Sequence, residues 1–214
     1  LRGHVGDHPL DGLEAGQGFI ELFALFGVGY GGIERALGAG LSPVKINTVV
    51  LRGRNDDEVP ALADFAIAHG CQIRFLELMP IGCARTGHRE LFVSMNEVRG
   101  RIERTFRLTP LQGRAGQSSR SFMADDGRSH RGVIGFIASE TEPFCPECRR
   151  LRLTSEGRLV TCLARGEGPM VRDLLRDGSA DAGLRLRGII GEALAGKSVR
   201  DTFCTGLSMA GVGG

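Results

Sequence analysis

Apolar and polar positions along this chain change period several times, and each change marks an element. Val44-Lys45-Ile46-Asn47-Thr48-Val49-Val50-Leu51 is β-branched and almost continuously apolar, as a strand of a buried parallel sheet would be. A helix is predicted from Asn55 to about His69, opening on Asp56, Asp57 and Glu58, where the positive end of a helix dipole favours acids. A second strand runs from Gln72 to Met79 and is closed by Pro80 and Gly82, and a helix follows from Asn96 to Phe106. Gly132 to Ser139 reads as another strand, and Leu151–Thr154 with Arg158–Val160 as a short hairpin around Ser155-Glu156-Gly157. Two small helices come after it, Val171–Arg176 and Ala180–Ala195. Nearer the start, Ile33–Ala39 ends a helix stopped by Gly40, with the glycines from Gly27 to Gly32 as the loop entering it, since they lack the spacing of a dinucleotide fingerprint. The strand, helix, strand order calls for right-handed parallel crossovers, and so for an open α/β sheet or part of a barrel. Residues 110–131 are polar and rich in Gly, Ser and Arg, a boundary or excursion, and the tail from Lys197 is too small and flexible for core.

Parity adds a first piece of chemistry. It places Lys45 and Asn47 on one face with Val49, and Arg74 on one face with Leu76 and Leu78. A cation in a strand covered on both sides is costly unless it is paired. Either a structural carboxylate meets it, or it faces a cavity holding an anionic ligand. Met79-Pro80-Ile81-Gly82 occupies the C-terminal end of the second strand, where parallel α/β folds collect ligands.

Composition narrows the class. With 214 residues, 42% apolar and 24% charged, the chain is globular and large enough to bury a real core. No run approaches a membrane span, and no leader pattern opens the chain, so it reads as a cytoplasmic protein with no membrane partner. A net charge of +2, from 27 basic and 25 acidic residues, gives no bulk polyanion surface and no expectation of nucleic acid. Six cysteines without a secretory signal favour metal or redox chemistry over a disulfide framework.

Three of those cysteines, Cys145, Cys148 and Cys162, are spaced C-x2-C-x13-C, with Arg150 and Arg152 just after the second. A closed zinc site would need a fourth ligand, and Cys204 is the only cysteine or histidine downstream of Cys162. An iron–sulfur cluster held by three thiolates would leave one iron open to a substrate atom. Three unrelated thiols are the remaining possibility. The planar donor forks of Arg150 and Arg152 suit a purine edge, a carboxylate or a phosphate, or else they are solvated charges on a hairpin. Cys71, just before an apolar strand, reads as a small buried hydrophobe, and Cys83 has no usable partner spacing.

Cys145-Pro146-Glu147-Cys148-Arg149-Arg150-Leu151-Arg152-Leu153-Thr154 with Gly157 and Cys162-Leu163 resembles the C-terminal cluster motif of the MoaA family, the GTP 3′,8-cyclases that begin molybdenum cofactor biosynthesis. Val44 to Val50 with Arg52-Gly53 and Asn55-Asp56-Asp57-Glu58, Arg74 to Gly82, and the terminal Gly213-Gly214 resemble the same family, from about Gly32 onward. The resemblance implies a radical S-adenosylmethionine enzyme that converts GTP to (8S)-3′,8-cyclo-7,8-dihydroguanosine 5′-triphosphate. It implies a [4Fe-4S] cluster on Cys145, Cys148 and Cys162 that binds guanine through its open iron. It further implies GTP contacts from Lys45, Arg74, Arg150 and Arg152, an S-adenosylmethionine contact from Met79, and an active-site tail in Gly213 and Gly214. The fold so implied is the C-terminal part of an incomplete radical-SAM (β/α) barrel, residues 1–109, followed by an iron–sulfur and GTP-binding region, residues 110–214.

The chain also departs from that pattern. It has no C-x3-C-x2-C motif for the family's second, radical-generating [4Fe-4S] cluster, and Leu10-Asp11-Gly12-Leu13 follows Asp7-His8-Pro9 where the family has an N-V-S-L-D-x-L segment. That puts S-adenosylmethionine binding in doubt and gives the expectation of an amino-terminally truncated or degenerate member, inactive alone. The contrasting reading is a non-catalytic nucleotide- or zinc-binding remnant. By family the downstream partner is a cyclic pyranopterin monophosphate synthase, and a homodimer is compatible with the resemblance.

Overall fold

The structure is a computed structural model describing residues 27–113, 116–145, 148 and 150–197, with 27–30 described by their backbone alone. Helix α1 (Gly27–Gly38) leads to strand β1 (Lys45–Val49), helix α2 (Val59–Ala68) and strand β2 (Gln72–Leu76). A 3-10 turn (Gly82–Arg85) and a short helix α3 (His88–Leu91) precede α4 (Met95–Ile102). Then come β3 (Arg107–Pro110), β4 (Arg120–Asp125), β5 (Arg131–Ile137), a hairpin of β6 (Arg152–Leu153) and β7 (Leu159–Val160), and helices α5 (Arg172–Arg176) and α6 (Ala182–Ala195).

Five strands form one mixed sheet in the order β1-β2-β5-β4-β3. β1, β2 and β5 run parallel, and β5, β4 and β3 form an antiparallel meander. The chain is therefore α/β, as the alternating periods predict. Helices α2 and α4 pack together on one face, over Ile73 and Phe75 of β2 and Ile134 and Phe136 of β5. Their own inward residues are Val59, Ala63, Ala66 and Ile67 of α2, and Met95, Val98 and Ile102 of α4. The other face carries Lys45, Asn47 and Val49 of β1, all exposed, and the half-buried Arg74 of β2. No helix among the described residues is long and apolar enough to cross a membrane.

Three expectations about elements change. The glycines of 27–32 lie within α1 instead of a loop, because Ile33 and Leu37 dock on the core and the helix continues backwards from that anchor. Asn55 to Glu58 do not open a helix. Asn55 Oδ1 accepts the Leu51 N–H at 2.8 Å, its Nδ2 donates to the Val49 carbonyl, and Asp56 accepts the Gly53 N–H, so these side chains close a loop. The helix proper begins at Val59, with Pro60 in its first turn. Arg101 of α4 ties the same loop down through Asp56 at 2.8 Å. Finally, the polar stretch read as an excursion contributes β4, whose Phe122 and Ala124 are buried; the sheet runs on through it.

Helix α4 has a side-chain N-cap. Ser94 Oγ accepts the Glu97 N–H at 3.2 Å, which sets the helix start one residue before the predicted Asn96. The Met95 N–H is met from elsewhere, by the carboxyl of Glu77 at 2.9 Å. Glu77 is 1% exposed, and its two oxygens also accept the N–H groups of Glu140 (2.6 Å) and Thr141 (2.9 Å) and the Thr141 hydroxyl. One carboxyl thus joins the end of β2, the start of α4 and the turn that follows β5. That turn leads directly to Phe144 and Cys145.

Candidate functional site

The candidate residues fall into two groups. The first lies on the open face of the sheet, where register sets Asn47 beside Arg74 and Arg74 beside Gly135, with Ser121 of β4 beyond. Lys45 is two residues before Asn47 on the same side of β1, so the two cations are diagonal neighbours. Gly135 lets Arg74 lie flat. A methyl group there would meet Arg74 Cγ at 3.1 Å and collide with Ser119 Oγ, a buried hydroxyl with no hydrogen-bond partner. We expect Gly135→Ala to cost about 1–2 kcal/mol by overpacking, read from a urea denaturation midpoint; an unchanged midpoint would mean that Ser119 simply turns aside.

The second group surrounds the cysteines. Cys145, Cys148 and Cys162 are free thiols, each partly buried. The β6–β7 hairpin pairs Arg152 with Val160, two residues before Cys162. Burial, reinforced by the neighbouring Arg150 charge, pulls the Arg152 guanidinium below its ordinary value, while the charges of Cys148 and Cys162 act in the opposite sense. Arg152 therefore lies within electrostatic reach of both thiols. At Cys148 burial alone would push the thiol up, but hydrogen bonds from the Arg150 N–H and guanidinium, with the charges of Arg150 and Lys197, hold it below its usual range. Arg150 is exposed, its guanidinium 4.6 Å from the centre of the Phe144 ring.

Lys197, which carries no motif signal, enters this group from far along the chain. Its ammonium donates to the carbonyls of Cys148 (3.0 Å) and Arg150 (2.7 Å) and lies 3.5 Å from Cys148 Sγ. Phe144 also borders a cavity of about 710 Å³ lined by Asn96, Arg99, Ser119, Phe136 and Glu142, at the end of the sheet that carries α4. Its size is that of a small-molecule pocket.

Other candidates are placed as follows. Met79 is half-buried just beyond β2, its carbonyl accepting the Ile81 N–H at 2.8 Å. Cys71 is 3% exposed and burial pushes its thiol up, as a structural cysteine requires, and Cys83 is exposed. Gly213, Gly214 and Cys204 lie outside the described residues. Among the described residues, no three cysteine, histidine or carboxylate groups are gathered into a set that could hold a metal ion. The donors fit a thiophilic metal in kind: soft sulfurs beside cations that favour the thiolate. Their positions alone do not form a finished coordination sphere.

Comparison with known proteins bears on both groups. The family described as Molybdenum Cofactor Synthesis C matches residues 71–203. Over 172 residues the chain is 42% identical to GTP 3′,8-cyclase 1 of Pseudomonas aeruginosa, a stretch that makes up 80% of this chain and 51% of that relative. It is 41% identical over 153 residues to GTP 3′,8-cyclase of Corynebacterium glutamicum, covering 70% of this chain and 40% of the relative. With GTP 3′,8-cyclase of Pelotomaculum thermopropionicum it shares 40% identity over 180 residues, 82% of this chain and 53% of the other. The chain spans about half the length of the curated relatives it matches.

Proposed function

Because the chain belongs to the molybdenum cofactor synthesis family, whose match covers residues 71–203, we propose that it forms the substrate side of a GTP 3′,8-cyclase. The reaction is the conversion of GTP to (8S)-3′,8-cyclo-7,8-dihydroguanosine 5′-triphosphate by radical S-adenosylmethionine chemistry, with the product passed to a cyclic pyranopterin monophosphate synthase. In this reading residues 1–109 are part of a radical-SAM barrel and residues 110–214 the cluster and GTP region. Cys145, Cys148 and Cys162 would hold a [4Fe-4S] cluster, which when bound offers an open iron to the guanine. Arg150 and Arg152 orient the nucleotide with their donor forks, and Lys45 and Arg74 meet its phosphates from the open face of the sheet. Met79 lies against S-adenosylmethionine, and Gly213 and Gly214 allow close approach of the tail. The radical itself needs a C-x3-C-x2-C set, which residues 1–214 do not contain.

The observation that carries this reading is the cationic surround of the thiols. Arg150 and Lys197 both donate to Cys148, and Arg152 senses Cys148 and Cys162 together. Such charge concentration in a chain of net charge +2 calls for an anionic occupant. Anaerobic reconstitution should yield about four irons and four sulfides per chain, with a visible absorption band that GTP alters. Arg152→Ala should weaken GTP binding by roughly 100-fold, about 2.7 kcal/mol. Zinc bound tightly in place of iron, with no response to GTP, would replace this reading with that of a metal-binding remnant.

A further inference from the structure

Lys197 stands at the end of a closed circuit of chain. From Cys148 the backbone runs through the β6–β7 hairpin to α5, which is fixed to the hairpin turn by the Val171 N–H donating to the Gly157 carbonyl at 2.8 Å. Helix α5 packs on α6, and α6 ends in a turn where the Gly196 N–H meets the Glu192 carbonyl at 2.8 Å and the Lys197 N–H meets that of Leu194 at 3.3 Å. The helix end therefore sets where the Lys197 side chain begins. Forty-nine positions after Cys148, the chain reaches back to the same residue.

The donor count fits a clamp. An ammonium has three N–H bonds, and here three acceptors surround it: two carbonyls, on Cys148 and Arg150, and one sulfur. Holding both carbonyls on one ammonium fixes where Arg150 lies relative to the second thiol. That placement decides whether the Arg150 N–H reaches the Cys148 sulfur and whether the guanidinium reaches Phe144. The position is also electrostatically demanding. A third cation beside Arg150 and Arg152 is repelled unless carbonyl dipoles and an anionic sulfur or ligand offset it.

We infer that Lys197 is a positioning residue for the anion site: it clamps the segment from Cys148 to Arg150 and thereby aims Arg150 at the ligand held beside the thiols. Its effect on GTP rests on the function proposed above, whereas its effect on the backbone does not. Two variants separate these. In the metal-free chain, Lys197→Met should raise amide hydrogen exchange across residues 148–152 by about tenfold or more, with α5 and α6 unchanged, and Lys197→Arg should restore most of the protection. In the iron-reconstituted chain, Lys197→Met should weaken GTP binding about tenfold and change how GTP perturbs the spectrum, while its melting temperature stays within about 3 °C of the parent. Exchange unchanged at 148–152, or raised equally over α5 and α6, would overturn the inference. If the unsubstituted reconstituted chain ignores GTP, the GTP reading fails and the exchange result alone decides the role of Lys197.

Discussion

Glu77→Ala is expected to destabilise the protein by about 3–5 kcal/mol, a large share of the stability of an ordinary domain. The carboxyl is 1% exposed and meets three backbone N–H groups, those of Met95, Glu140 and Thr141, besides one hydroxyl. Alanine would leave those donors facing a void. The donors belong to two places in the chain, so the loss would also loosen the start of α4 and the approach to Phe144 and Cys145. Glu77→Gln keeps the volume but turns one acceptor into a donor facing other donors, and should cost about 1–3 kcal/mol. Equilibrium urea unfolding reads both. A Glu77→Ala midpoint equal to that of the parent would show that water satisfies the three N–H groups, and would sink the argument.

Gly157→Ala should cost about 3 kcal/mol and disturb the cysteine region with it. Gly157 sits at φ +87°, in the left-handed region that a β-carbon disfavours. A β-carbon here would also lie 2.9 Å from Arg172 Cα and collide with Arg172 Cβ, at the first residue of α5, where backbone has no rotamer to turn aside. The Gly157 N–H donates to the Thr154 carbonyl and its carbonyl accepts from Val171, so the turn cannot open without releasing α5. The strand pairing that sets Arg152 against Val160 would shift, and with it the distance from Arg152 to Cys162. Glu156→Ala, at the exposed neighbouring position, should stay within about 0.5 kcal/mol. Thermal unfolding of both variants gives the comparison, and equal melting temperatures would count against the turn as a constraint.

Much of the sheet was legible because its signal is local. Alternation along β2 told which side Arg74 takes, and the structure buries Ile73 and Phe75 opposite it. Glu77 shares the parity of Ile73 and Phe75, so one acid in an apolar run was an available signal that the sequence reading passed over; its burial and its donors came from the structure. Asn55 to Glu58 misled because the residues that suit a helix start also bridge loops, and the nearby backbone at Val49, Leu51 and Gly53 decided which they do. Strand β4 was hidden because its flanks are polar and its buried set is only Phe122 and Ala124.

At the candidate site, residue type and spacing alone determined which groups stand out: Cys145, Cys148 and Cys162 as soft donors, Arg150 and Arg152 as fixed cations, Lys45 and Arg74 as charges in strands. Each of these rests on neighbours a few residues away, which is what a sequence records. Tertiary structure alone decided that Lys197 closes on Cys148 from 49 residues away and that Glu77 meets Met95 and Thr141 from 18 and 64 residues away. No local pattern encodes such pairs. They follow from how α6 lies against α5 and how α4 lies against the sheet, and hence from the burial that packs those elements together.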